Sequence, residues 1–296
     1  DLKQAGIRDI CQGDNGTLWI ASYRGILRLQ GQSEKLLTEK DGLPAIDMRR
    51  VLKDKNGDLW FASRSQGLVK FSPRLNKVLH VYNKENGLGS NYILSLELDS
   101  KGLLYVGTHS GGMTIIRPDG SFTTHHLTKD DAGVLIFNIH IDADDKIWLV
   151  SNIGPYQFDG ESFRKIKLKA INKGETYFDW LEDQHKDIWL TTNLGVLKIK
   201  RTSLDNFISG RDTVVHTKLF DNQGGMRTKE CTGATRSLLS AAGKIWIPTI
   251  GGVAVFYPDK IVENPIPPKV YVTDLVSDQD TFEGDSVTIR PGNLRY

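Results

Sequence analysis

Apolar residues along this chain come in short alternating runs, and the runs themselves recur. One phrase returns six times: GDNGTLWIASYRGILRL, DKNGDLWFASRSQGLVKF, DSKGLLYVGTHSGGMTII, DADDKIWLVSNIGPYQF, DQHKDIWLTTNLGVLKI and SAAGKIWIPTIGGVAVF. Its aromatic position is held by Trp19, Trp60, Tyr105, Trp148, Trp189 and Trp246, at intervals of 41, 45, 43, 41 and 57 residues. Five of the six tryptophans fall at this one position, so the repeat is architectural rather than compositional. A period in the low forties made of strand-length runs predicts a β-propeller, whereas a helical solenoid would space its apolar residues at 3.6.

Each unit predicts four strands. An inner strand of the form φxxφxxD (Ile7 to Gly13, Met48 to Asp54, Ile93 to Asp99, Ile136 to Asp142) enters a tight turn of Asp, Asn, Gly and Lys. A second strand carries the Trp or Tyr, a Gly turns the chain into a third, and a more polar fourth follows, as in NKVLHVY. The expectation is an all-β propeller of four-stranded blades with six signature repeats and the tryptophans buried between blades as bulky filler. The long fifth interval reflects residues 206–237, which are expected to form a loop on one face. Four prolines between Pro258 and Pro268 mark a domain exit. The propeller is therefore assigned to 1–260, and 261–296 to a linker and the truncated start of a second β domain, too short to close a core alone.

Charge and composition narrow the partners. With 38 Lys+Arg against 36 Asp+Glu there is no basic field for nucleic acid, and no apolar run approaches a membrane span. The chain opens DLKQAG without a signal peptide, which by itself reads as cytosolic or trimmed. Cys11 and Cys231 are expected to be free thiols. The Asp-rich turns DKNGD and DADDK resemble the beginning of a calcium loop, but hairpin turns take these residues for backbone reasons and the closing Glu is missing. The seven histidines lack HxxxH and HExxH spacing, and no GxSxG appears, so neither a cofactor, a metal site nor a catalytic set is expected.

The phrase φxxφxxDxxGxφWφxT/SxxGφ, the linkers EKDGLP at 39–44 and KENGLGSNYI at 84–93, and GGVAVFYPDKI before PPKVYVTDL together resemble the two-component-regulator propeller family. The tail resembles the start of the Y_Y_Y domain. The resemblance implies the periplasmic sensor of an inner-membrane hybrid histidine kinase, acting as a homodimer, touching the membrane only through flanking segments and leaving catalysis to other domains. It also implies seven blades in the usual case, so that upstream blades would precede this stretch. Streptogramin lyases share the blade style and give the enzyme alternative, which needs a His and Glu pair near the channel mouth. His109 is the only loop histidine placed there.

If φxxφxxD is the innermost strand, its start and the exits of the second strands share one face. That face gathers Tyr23, Arg24, Arg64, His109, Asn152 and Asn193 from the exits, and Arg8, Arg49, Tyr92, Phe137, Tyr177 and Arg236 from the entrances. Aromatic planes beside Arg and Asn suit an oligosaccharide or another polar, partly anionic ligand. A protein-interaction propeller that binds no small molecule is the other reading.

Overall fold

The computed structural model describes residues 6–169 and 175–261, together with the backbone of two short strands, Asp274–Val276 and Thr281–Glu283. The chain divides into two compact units, Asp1–Pro258 and Asp259–Tyr296. In the second, the two short strands pair antiparallel. The rest of the tail, with its expected sandwich start, lies outside the described residues.

The first unit is an all-β, six-blade propeller. Five blades are four-stranded antiparallel sheets in simple chain order, and the sixth has three described strands, Leu238–Leu239, Ile245–Thr249 and Gly252–Phe256. The inner strands of the first five are Ile7–Gln12, Met48–Lys53, Ile93–Leu98, Ile136–Ile141 and Tyr177–Glu182. Glycine is required after the second strand because the chain turns back at positive φ under the end of the blade. A Cβ at Gly25, Gly67 or Gly195 would collide with the carbonyl of Leu37, Tyr82 or Phe220.

The repeated acid and the repeated aromatic turn out to be partners. One Asp54 oxygen accepts from the turn N–H groups of Asn56 and Asp58 (2.9 and 3.0 Å), and the other from the Trp60 indole N–H (3.0 Å). Asp142 holds Asp144, Lys146 and Trp148 in the same way, and Asp183 holds His185, Asp187 and Trp189. Asp99 differs only in reaching the Tyr105 hydroxyl (3.4 Å). The six-residue offset thus closes the hairpin and fixes the ring from one carboxylate. In DKNGD and DADDK it is Asp54 and Asp142 that do this, so the acids that resemble a calcium loop organise the turn instead.

The first five aromatics pack onto the next blade, Trp189 with its ring 4.9 Å from that of Phe256. Trp19 meets Met48, Val51, Phe61 and Phe71; Trp60 meets Ile93, Leu96 and Leu104; Tyr105 meets Ile136, Ile139 and Ile147; and Trp148 meets Trp180, Ile188 and Leu190. Trp246 departs from the expected burial: it is 40% exposed, and its cross-strand partner Val255 38%. Among the described residues no following blade lies on this face. Blade 1 shows the complementary opening, with Ile10 55% exposed while its counterparts Val51, Leu96 and Ile139 are buried.

The long interval also departs from a simple surface loop. Its beginning is a helix, Arg201–Ile208, whose Leu204 and Phe207 pack with Trp148, Ile166 and Val215, while Arg164 donates to the carbonyls of Phe207 and Ile208 (2.9 and 2.8 Å). This part clamps the outer strands of blades 4 and 5. The later part returns inward, where the Cys231 N–H donates to Thr192 O (3.0 Å).

Candidate functional site

The inner strands share one irregularity, and it positions the site. In blades 1 to 5 the pairing with the second strand skips one residue: Arg8, Arg49, Leu94, Phe137 and Phe178. A bulge of this kind re-aims a side chain that regular pleating would bury. Since Ile7 pairs with Ser22 and Met48 with Ser63, the bulged residues lie beside the second-strand exits on one face, as the topology predicts.

In blades 1 to 3 the predicted residues meet. The Arg8 guanidinium lies 4.2 Å from the centre of the Tyr23 ring. Arg64 lies 5.1 Å from that of Tyr92, donates through Nε to the Tyr92 hydroxyl (3.0 Å), and stands 3.6 Å from Asp47. Tyr92 in turn stacks on His109 with centroids 5.3 Å apart and planes 3° from parallel. Arg8 titrates below the ordinary guanidinium range because of burial and the charge of Arg64, opposed by Asp47. Three guanidinium groups, Arg8, Arg49 and Arg64, thus lie in one another's field with Asp47 the carboxylate among them, and Asp47 Oδ1 is buried without a partner. The cluster carries an excess of positive charge in a chain that is nearly neutral as a whole.

Arg24 is exposed and stands apart from this cluster, its backbone N–H donating to Ser22 Oγ (3.1 Å). Asn152 and Asn193 act as latches: Asn152 accepts from Leu135 N–H (2.8 Å) and donates to Gly133 O (2.9 Å), and Asn193 accepts from Thr176 N–H (2.8 Å). Tyr177 donates its hydroxyl to Glu175 (2.8 Å), and burial, then that carboxylate, pushes its pKa up.

Arg49, Phe137 and Arg236 stand inside the ring rather than on its rim. Arg49 is buried and donates to Leu94 O (3.4 Å) and, across the channel, to Gly233 O (2.6 Å). Phe137 packs edge-on against Phe178, and both bracket Gly233, where a Cβ would clash. Arg236 donates to Glu97 (3.1 Å) and to Leu96 O on blade 3. The segment around 233–237 therefore plugs the channel under the face.

Behind the plug lies a charged layer that sequence reasoning missed. Following each bulge come Asp9, Arg50, Ser95, Asn138 and Asp179, of which Asp9 accepts from Val51 N–H (3.1 Å) and Asp179 from Ser237 N–H. Arg50 is 2% exposed, its Nε has no partner, and burial followed by the charge of Arg236 lowers its pKa to about 9. Burial likewise raises Asp179. The signal was the polar residue standing where a wholly buried strand would continue apolar.

Residues 1–24 and 87–110 match the family described as two component regulator propeller. Over 277 residues, 87% of this chain, it is 25% identical to histidine kinase P4 of Formosa agariphila, spanning 19% of that protein. Two solved extracellular domains from B. thetaiotaomicron share the fold. One belongs to a hybrid two component system (19% identity, TM-score 0.56, 97% of this chain and 44% of that one). The other belongs to a one component system (17%, 0.69, 94% and 37%). Virginiamycin B lyase of Staphylococcus aureus shares it too, at 13% identity and TM-score 0.64, over 90% of this chain and 86% of the lyase. The chain thus spans less than half of the kinase and of the extracellular domains it resembles.

Proposed function

We propose that this chain is the ligand-sensing propeller of an extracytoplasmic two-component receptor, and that the face of blades 1 to 3 recognises an acidic oligosaccharide or a similar polar anion. The observation that carries the reading is the pair of Arg8 and Arg64 beside Asp47, flanked by Tyr23 and the stacked Tyr92 and His109, with the buried Arg49 adding to the positive field beneath them. Guanidinium groups in excess of the carboxylates beside them fix carboxylate or sulfate, and adjoining ring faces take the apolar side of a sugar. The family match and the similarity to a histidine kinase support the receptor context, and the likeness to extracellular domains agrees with a periplasmic placement. In that context the output, dimerisation, membrane attachment and any following Y_Y_Y domain belong to the parent receptor.

The lyase reading has less to stand on. His109 is committed to a stack with Tyr92, and among the described residues no carboxylate is hydrogen-bonded to it. Its low-identity likeness is a likeness of fold. The proposal is tested by calorimetric titration of the chain with acidic and neutral oligosaccharides. Arg64→Ala and Tyr92→Ala should each weaken binding of the acidic ligand by about 1 to 3 kcal/mol. Unchanged affinity in both would refute the site.

A further inference from the structure

A cavity lies on the opposite face, where the hairpin turns of blades 2 and 3 meet. It encloses about 220 Å³ between the turn at Lys55, the turn at Lys101 and the loop at Arg117–Gly120. An apolar cavity of about 150 Å³ is enough for benzene, so this one has room for a six-membered ring bearing a charged substituent. Its depth and its mouth differ in chemistry. The inner wall is the Trp60 and Tyr82 rings, 5.7 Å apart, with Leu104 and Ile116, all four buried. At the mouth stand Lys101 and Arg117, both exposed and neither in an ion pair among the described residues.

The polar groups of the cleft are unequally committed. Asp54 and Asp99 spend their oxygens on their own turns and on the Trp60 and Tyr105 side chains. Lys70 lies over Trp60 and is held by Asp58 (3.3 Å), and Lys55 donates to Ser100 O. The Tyr82 hydroxyl has no hydrogen-bond partner among the described residues, and burial raises its pKa, so it remains a neutral donor. Gly120 stands beside it, where an added Cβ would come no closer than van der Waals contact with the hydroxyl oxygen, 3.8 Å away.

We propose that this cleft binds a compact cyclic carboxylate, its ring against Trp60, Tyr82, Leu104 and Ile116 and its carboxylate between Lys101 and Arg117. The apolar depth selects the body and desolvates it, while Lys101 and Arg117 at the mouth, the latter already donating through one nitrogen to Thr123 Oγ1 (3.0 Å), supply the charge-assisted hydrogen bonds that distinguish a carboxylate from a neutral ring. A ligand here would bridge two blades from the side opposite the face assigned above, so the two sites are independent.

The test is isothermal titration and saturation-transfer NMR of the whole chain with benzoate, with benzyl alcohol and inorganic phosphate as comparators. The expected result is saturable benzoate binding, at least tenfold tighter than either comparator. The double charge reversal Lys101→Glu/Arg117→Glu, at exposed positions that leave the core intact, should weaken it at least tenfold, whereas Arg64→Ala should leave it unchanged. Tyr82→Phe, which keeps the ring and removes the hydroxyl, should weaken it severalfold. Absence of saturable benzoate binding, equal binding of benzyl alcohol or phosphate, or indifference to the double reversal would each overturn the proposal.

Discussion

Replacing the acid of one turn should expose how much a blade depends on it, and Asp183 is the best position for the experiment. Its carboxylate is buried and accepts three hydrogen bonds, from His185 N–H (2.9 Å), Asp187 N–H (3.0 Å) and Trp189 Nε1–H (2.8 Å). The Trp189 ring is itself fully buried. In Asp183→Asn one oxygen still serves the two turn amides, but an amide N–H₂ then faces the indole N–H. The loss is one charge-assisted bond plus a buried donor left unpaired, about 2 to 4 kcal/mol. Asp183→Ala should cost about 1 to 2 kcal/mol more, since the turn amides lose their acceptor as well. Trp189→Phe removes only the donor, so a double-mutant cycle between Asp183→Asn and Trp189→Phe should give a coupling of at least about 1 kcal/mol. Blade 6 is the internal control. Its Ser240 hydroxyl accepts only from Lys244 N–H (3.1 Å) and Trp246 is half-exposed, so Ser240→Ala should cost about 0.5 to 1 kcal/mol. The assay is urea unfolding followed by far-UV circular dichroism, with slopes compared to establish that the variants unfold alike. Equal costs for Asp183→Asn and Ser240→Ala, or a coupling near zero, would refute the reasoning.

The same accounting separates the tryptophans: Trp148→Ala should cost about 3 to 5 kcal/mol, and Trp246→Ala less than about 2, both by urea unfolding, because the latter ring is already in water. Arg50→Met should change stability by less than about 1 kcal/mol or raise it, since among the described residues the buried guanidinium has no carboxylate at ion-pair distance and its Nε has no partner; a loss above about 3 kcal/mol would show that its long-range partners hold it firmly. Thiol titration at pH 8 should find two free cysteines after denaturation. In the folded chain Cys11 should react slowly and Cys231 hardly at all, because burial holds the Cys231 thiol up at about 11 and raises Cys11 more mildly, leaving little thiolate. A folded-state count of two fast thiols would contradict this.

The repeat carried most of the architecture in plain view, since a fixed aromatic every 41 to 45 residues needs neighbouring blades to bury it. The share of the face assembled by Tyr23, Arg64, Tyr92 and His109 was legible for the same reason: equivalent positions of successive units return to the same side. The inward placement of Arg49, Phe137 and Arg236 was not legible, because the pattern does not register the bulge or the plug through Gly233, which depends on contacts between residues 184 positions apart. The helix Arg201–Ile208 escaped notice because eight residues with two buried apolar ones give a weak period, and its stability comes from packing on Trp148 and Val215. Trp246 failed from the opposite cause. A repeat predicts what a residue is shaped to do, while its burial depends on a neighbour that only the first five signature aromatics have.

The central claim is that Arg8 and Arg64 with Tyr92 form the recognition surface, above the buried Arg49. It is tested most directly by titrating the chain with an oligogalacturonate tetramer and with a neutral tetrasaccharide of equal length, in wild type, Arg64→Ala, and Lys146→Glu on the opposite, exposed turn. The account predicts saturable binding of the acidic tetramer only, weakened about tenfold or more in Arg64→Ala, consistent with the loss of one central anchor, and unchanged in Lys146→Glu. Binding that survives Arg64→Ala and vanishes in Lys146→Glu, or no preference for the acidic tetramer, would contradict it.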